Sequence, residues 1–274
     1  MATTTRDEAA LRHHYETERA LADRLRAAPA DQRAAVYGEV YDELFRSVPD
    51  HPQLSISADE RRRKVEEKLH LVGRFLAPDT VLVELGPGDC AFSVAVSSRV
   101  RRVYAVDVSE VIVQSAQPVP NVEVRLSDGV SIPVETGVAD IVYSDQLMEH
   151  LHPDDAAAQL REVRRVLHAG GRYVCVTPSR LSGPHDVSRA FDDVARGFHL
   201  REYDQRTLRR MFRAVGFSRV RFYVGGRGRY LPAPYPLLAA AEWVFDVLPK
   251  GVRRRLRATM PVMALFGVNA VATA

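Results

Sequence analysis

The chain has 274 residues, 38 basic and 35 acidic, for a formal net charge of +3. That length can bury a sizeable core and suits one elaborated α/β domain, or one domain with a small subdomain, while a charge this mild does not call for a nucleic-acid partner. The two cysteines, Cys90 and Cys175, lack the spacing of a disulfide framework, the first thirty residues hold no signal-like apolar core, and Glu242 and Asp246 break the most apolar late stretch, so a soluble, cytoplasmic protein without a membrane span is expected.

In chain order, three helices come first. Leu11, Tyr15, Ala22 and Leu25 fall on one stripe of a helix over 6–28 that Pro29 stops, and Val36, Val40, Leu44 and Phe45 mark a second over 31–47. Ser57 with Glu60 has capping-box spacing and opens a third, carrying Val65, Leu69, Val72 and Leu76. Tyr15, Tyr37 and Tyr41 read as core or rim residues of this preface.

After Pro78 apolar runs alternate with helical periods, as in a parallel sheet. Strands are predicted at 81–85, 103–107, 122–126, 139–144, 172–177 and 218–224, with helices at 91–98, 110–115, 154–168 and 204–215. Pro153, Asp154 and Asp155 suit the positive first turn of the third of these helices, and Ala169-Gly170-Gly171 suits its end. The proline-broken YLPAPYP reads as irregular, with a helix from about Leu237, and GVNAVATA as a last strand. Trp243, Phe245, Arg253, Arg254 and Arg255 would suit peripheral membrane contact of 237–257, although such a face more often packs on the protein itself.

The stretch VLVELGPGDC, residues 81–90, is a buried strand running into a glycine turn and then a helix N-terminus, which is a nucleotide-type site. Gly86, Gly88 and Ala91 fit the loose dinucleotide fingerprint, and Asp107 ends the next strand where a ribose-binding acid belongs. An NAD-dependent oxidoreductase is therefore one reading, and a binding or scaffold protein without turnover another. Glu84 separates the ligand classes: a carboxylate there suits a cationic ammonium and repels a pyrophosphate.

The run acid, x, Gly, x, Gly over Glu84–Gly88 resembles the first motif of class I S-adenosylmethionine-dependent methyltransferases, and the resemblance extends over most of the chain. It implies a doubly wound, Rossmann-like α/β sheet of seven strands in the order 3-2-1-4-5-7-6, the last antiparallel. Residues 1–77 would form a helical cap, and 78–274 the cofactor-binding domain, with an insertion at about 225–262 that helps build the acceptor pocket. By the same resemblance Glu84 lies near the methionine ammonium, and Gly86, Pro87 and Gly88 turn beneath the ligand. Cys90 stands where a third glycine is often found. Asp107, with Val108 beside it, would accept from both ribose hydroxyls, Asp128 from the adenine amine, and Gly129 would keep the backbone clear of the ring. Asp128-Gly129 is also a common turn dipeptide. Ser144 and Asp145 would border the methionine moiety.

No Asn/Asp-Pro-Pro-aromatic run follows the fourth strand, so the resemblance is to small-molecule methyltransferases. Its implied reaction is in-line methyl transfer to a small acceptor, above all a hydroxyl of a sugar, lipid, polyketide or quinone, with S-adenosylhomocysteine as product. Glu149, His150 and His199 are the candidate catalytic residues, and His152 is a further candidate base. Some relatives hold a divalent metal with Glu-x-x-Glu-His and a later His. Here Gln146 replaces the first Glu, so no metal is expected and Mg²⁺ is the lesser alternative. The sequence carries no sign of an oligomeric state.

Overall fold

The computed structural model describes residues 7–52, 56–110, 119–226 and 228–274. Three helices lead, α1 (Glu8–Ala27), α2 (Arg33–Ser47) and α3 (Ala58–Val72). There follow β1 (Val81–Leu85), α4 (Ala91–Ser97), β2 (Arg102–Asp107), β3 (Val122–Leu126), β4 (Ala139–Asp145), α5 (Pro153–Val166) and β5 (Leu167–Thr177). The chain closes with α6 (Gln205–Ala214), β6 (Arg219–Gly226), β7 (Arg229–Ala233), α7 (Tyr235–Val247), α8 (Lys250–Leu256), α9 (Met260–Phe266) and β8 (Val268–Thr273). The helix expected over 110–115 falls almost wholly outside the described residues.

Among the described residues eight strands form one sheet, ordered β3-β2-β1-β4-β5-β8-β6-β7. The first five are parallel, and β8 returns antiparallel between β5 and β6, which is the expected order with one strand more. The extra strand is β7, in the stretch expected to be irregular. It pairs antiparallel with β6 at the sheet edge, where Pro232 stands opposite Tyr223 and a missing N–H costs nothing. Helix α5 ends two residues earlier than its sequence suggests, because Leu167 pairs with Ala139 and starts β5.

The period-2 alternation of β1 sends its side chains to opposite faces. Val83 and Leu85 join Leu21, Leu25, Val40 and Leu44 of α1 and α2. Leu82 joins Leu71 and Val72 of α3, with Phe92 and Val96 of α4. The preface thus straddles the sheet, with α1 and α2 on one side and α3 on the other.

Two buried polar clusters fasten it. Arg33 meets Asp155 with Nε and Nη2 each 2.7 Å from a carboxylate oxygen, and the Tyr37 hydroxyl donates to Asp155 (3.0 Å) while accepting from His152 N–H (2.7 Å). In the second cluster Glu18 Oε1 lies 2.8 Å from His14 Nε2 and 3.7 Å from His51 Nε2, and Oε2 accepts from Phe198 N–H at 3.3 Å. Burial alone would raise the Glu18 carboxyl, but its bonds to His14 and His51 outweigh this and hold it down to about 2. A carboxyl depressed by folding stabilises above its unfolded pKa and loses that contribution as the pH falls toward its folded pKa. The stability gap between the wild type and Glu18→Gln, read from urea unfolding, is therefore expected to narrow between about pH 5 and pH 3.

Candidate active site

The glycine loop leaves the carboxyl end of β1 with Gly86 at φ +67° and Gly88 at φ +57°, a region closed to most side chains. A Cβ on Gly86 would come within 3.2 Å of Leu147 Cδ1, whereas one on Gly88 would meet nothing within 4 Å; the loop is packed on one side and open on the other. Cys90 also takes a left-handed conformation (φ +57°) and buries its side chain. Burial, with the nearby charges of Glu84 and Asp107, pushes its thiol up to about 11, so it is a packing residue and no nucleophile.

Asp107 ends β2 beside this loop. Its carboxylate accepts from Ser109 N–H at 2.9 Å and from the backbone N–H groups of Val108 and Gly88. Burial raises its pKa and these N–H groups pull the other way, leaving it above the ordinary value. Gly86 N–H donates to Val106 carbonyl at 3.0 Å and locks loop to strand.

Glu84 has another setting. It is 1% exposed and accepts from the Ser93 hydroxyl behind the loop. Burial pushes it up to about 7, opposed by the Lys68 charge and the Ser93 bond. Lys68, from α3, lies 3.4 Å from Asp145 Oδ2 and over the rings of Phe92 and Tyr143. The acids at the ends of β1 and β4 thus already share an internal cation, which the sequence analysis missed. Ser144 is likewise turned inward, its hydroxyl 2.7 Å from that of Tyr173.

Asp128 anchors its own turn. Oδ1 accepts from Val130 N–H (2.8 Å) and Ser131 N–H (2.6 Å), and Oδ2 from the Ser131 hydroxyl (2.9 Å). Its side chain is exposed, and these bonds outweigh partial burial to hold it below the ordinary value. Gly129 (φ +89°) sits where a Cβ would be 3.4 Å from the Tyr37 ring and 3.5 Å from Val108 Cγ1. Helix α2 therefore reaches over this end of the cleft.

The loop after β4 and a distant segment bring Glu149, His150 and His199 together, with one ligand-type atom of each within 4.8 Å of the others. Glu149 is fully buried; Oε2 accepts from Thr177 Oγ1 at 2.8 Å, and Oε1 has no hydrogen-bond partner among the described residues. Burial pushes its carboxyl up to about 7, against the His199 charge and the Thr177 bond. His150 Nδ1 lies 3.0 Å from the Phe198 carbonyl oxygen, and burial followed by the His199 charge presses its pKa down to about 3. It is neutral at physiological pH. His199 goes the other way: burial would lower it, but its bond to Glu202 and the Glu149 charge leave it above the ordinary value. Its Nδ1 lies 2.9 Å from Glu202 Oε1, which fixes the proton there and leaves Nε2 as the working nitrogen. His152 instead caps α5.

Two further residues bear on this array, Glu202, which no motif pointed to, and Tyr41, which read as a core or rim residue. Glu202 orients His199, and Tyr41 stacks on Phe198 at 5.0 Å and lies edge-on to His150 at 6.3 Å. Burial, above all, raises the Tyr41 hydroxyl.

Residues 83–175 match the family described as a methyltransferase domain. An uncharacterized 37.1 kDa protein in transposon TN4556 of Streptomyces fradiae is 37% identical over 99 residues, 33% of this chain and 28% of that protein. The chain thus spans little more than a quarter of that curated relative. Among solved structures, a SAM dependent methyltransferase from Archaeoglobus fulgidus is similar with a TM-score of 0.53 at 15% identity, covering 78% of this chain and 94% of that one. Phosphoethanolamine N-methyltransferase 1 of Haemonchus contortus, solved with phosphoethanolamine and S-adenosylhomocysteine, is similar with a TM-score of 0.56 at 12% identity, covering 86% of this chain and 49% of that one. At these identities the likeness is one of fold. Sheet order, glycine loop and matched segment agree on the fold: the chain has the Rossmann-like α/β fold of the class I methyltransferases, and its residues 83–175 match a methyltransferase domain.

Proposed function

We propose that the chain methylates a hydroxyl of a small acceptor, with S-adenosylmethionine as donor and His199 as the base. The observation that carries this reading is the buried array in which Glu202 holds Nδ1 of His199 while a ring nitrogen of His199 lies within 4.8 Å of ligand-type atoms of Glu149 and His150. The cofactor's part is to supply a methyl group on a sulfonium, an excellent leaving group. The residues fit it: the open side of Gly88 lets backbone approach a ligand, and Asp107, fixed by three backbone N–H groups, keeps acceptor capacity for a ribose hydroxyl. The chain's own work is then alignment of the acceptor under Tyr41 and removal of its proton at Nε2 of His199. Helices α1 and α2 and the segment between β6 and β8 would wall the acceptor site, with sugar, lipid, polyketide and quinone hydroxyls as the classes to assay.

The cofactor half is tested by calorimetric titration with S-adenosylhomocysteine. Asp107→Ala is expected to weaken binding by about 2 kcal/mol, roughly thirtyfold, the scale of lost charge-assisted hydrogen bonds. Unchanged affinity would remove Asp107 from the ribose site.

A second reading rests on the unpartnered Glu149 Oε1. With the imidazoles of His150 and His199 it forms a donor set that suits a zinc-type cation better than Mg²⁺, one that would supply Lewis acidity to the same acceptor oxygen. Turnover lost to a chelator and restored by a divalent ion would favour it.

A further inference from the structure

Helix α7 packs on the protein through Leu238, Glu242 and Phe245. Its opposite stripe is also apolar, with Leu237 67%, Trp243 59%, Val244 51% and Val247 61% exposed. A helix whose exposed stripe is as apolar as this is built for a second apolar phase. Val252 and Leu256, one turn apart on α8, and Met260 on α9 extend the exposed apolar surface.

Cations surround it. Arg180, Lys250, Arg253, Arg254 and Arg257 line one cavity of about 330 Å³, whose apolar lining includes Leu181 and Phe245, and Arg255 is exposed on α8. Among the carboxylates paired with this group, Asp246 serves Arg180 (2.7 Å) and Arg253 (3.7 Å), and Asp193 serves Arg254 (3.9 Å) and Arg257 (3.2 Å). Asp204 also serves Arg180 (2.6 Å), so among the described residues three carboxylates answer six cations. A second copy of the same face would set like charges against each other, and a nucleic acid has no use for the apolar stripe. An anionic bilayer satisfies both features: acyl chains for the stripe, the interfacial zone for an indole, and lipid phosphates for the arginines.

We propose that α7–α9 form an interfacial membrane-docking surface for anionic phospholipid, with Trp243 and the α7 stripe inserted and the arginine-lined cavity seated over headgroup phosphate. Trp243 is the chain's single tryptophan, so its intrinsic fluorescence reports on this surface alone. The full chain is titrated with vesicles of phosphatidylcholine, and of phosphatidylcholine with phosphatidylglycerol, at low and high salt. The expected result is a blue shift, with quenching by brominated acyl chains, on the phosphatidylglycerol vesicles, fading as salt screens the arginines. Arg254→Glu with Arg255→Glu should weaken vesicle sedimentation by more than about tenfold. Trp243→Glu with Val247→Glu should do the same with an unchanged far-ultraviolet dichroism spectrum. Three outcomes would overturn the proposal: no spectral change on either vesicle, equal binding to both vesicles, or a blue shift that grows with protein concentration in the absence of lipid. The last would make the surface an interface between copies.

Discussion

Replacing His199 with alanine is expected to lower kcat by roughly 10²- to 10⁴-fold, the range for loss of a general base, while S-adenosylhomocysteine affinity stays within about twofold. His199 is buried, bonded through Nδ1 to Glu202 and close to Glu149, so the substitution removes the proposed proton acceptor and leaves the glycine loop untouched. The pH profile separates a base from a packing residue. A base must be neutral to act, so activity should rise as the pH passes the His199 pKa, which stands above the ordinary value with Glu202 as its largest raising cause. Glu202→Gln withdraws that cause and lowers the pKa, which moves the rising limb to lower pH. A limb that stays in place in Glu202→Gln, or a kcat unaffected in His199→Ala, would sink the assignment.

Asp155→Ala is expected to cost about 3–5 kcal/mol, because it strands the Arg33 guanidinium without its counter-ion. Both side chains are under 10% exposed and meet through two bonds of 2.7 Å. Asp155 also lies in the first turn of α5, where the helix dipole favours a negative charge, and it accepts from Tyr37. Thermal unfolding should fall by about 10 °C, taking roughly 2–4 °C per kcal/mol for a chain of this size. Arg33→Met with Asp155→Leu should recover most of the loss, since the desolvation cost of both charges disappears together. If the double variant is as unstable as Asp155→Ala, the pair serves as a packing element and the charge argument fails.

How much of this was legible in the sequence follows from how local each signal is. The parallel strands announced themselves through short apolar runs between turn residues, and the glycine loop through residues needed at positive φ. Strand β7 was hidden because Pro232, which has no N–H to give, argues against a strand unless its nitrogen faces away from the ladder, a matter of edge position that no window reveals. The overrun of α5 has the same origin: Leu167 and His168 are acceptable helix residues, and only pairing with Ala139 draws Leu167 into β5. Glu84 is the instructive case. Its spacing from Gly86 marks the loop, but alternation along β1 puts it on the face of Leu82, toward Ser93 and Lys68, and which helix covers that face is a tertiary fact. The approach of His199 to Glu149 depends on a loop some fifty residues farther along the chain, and the bond to Glu202 sits outside any helix whose period could have predicted it. Tyr41 looked like an ordinary stripe residue on α2 for the same reason.

The position of Tyr37 bears on kinetics. Its ring covers Gly129 while its hydroxyl is tied to Asp155 and the His152 N–H, so the turn after β3 is roofed by a helix that one ion pair latches to α5. In the proposed reaction the spent cofactor leaves when that roof lifts, on the microsecond-to-millisecond scale of such motions. The Arg33–Asp155 pair therefore acts as a clock: weakening it should speed product exchange even as it lowers the melting temperature, and turnover limited by release would rise in a protein that is less stable.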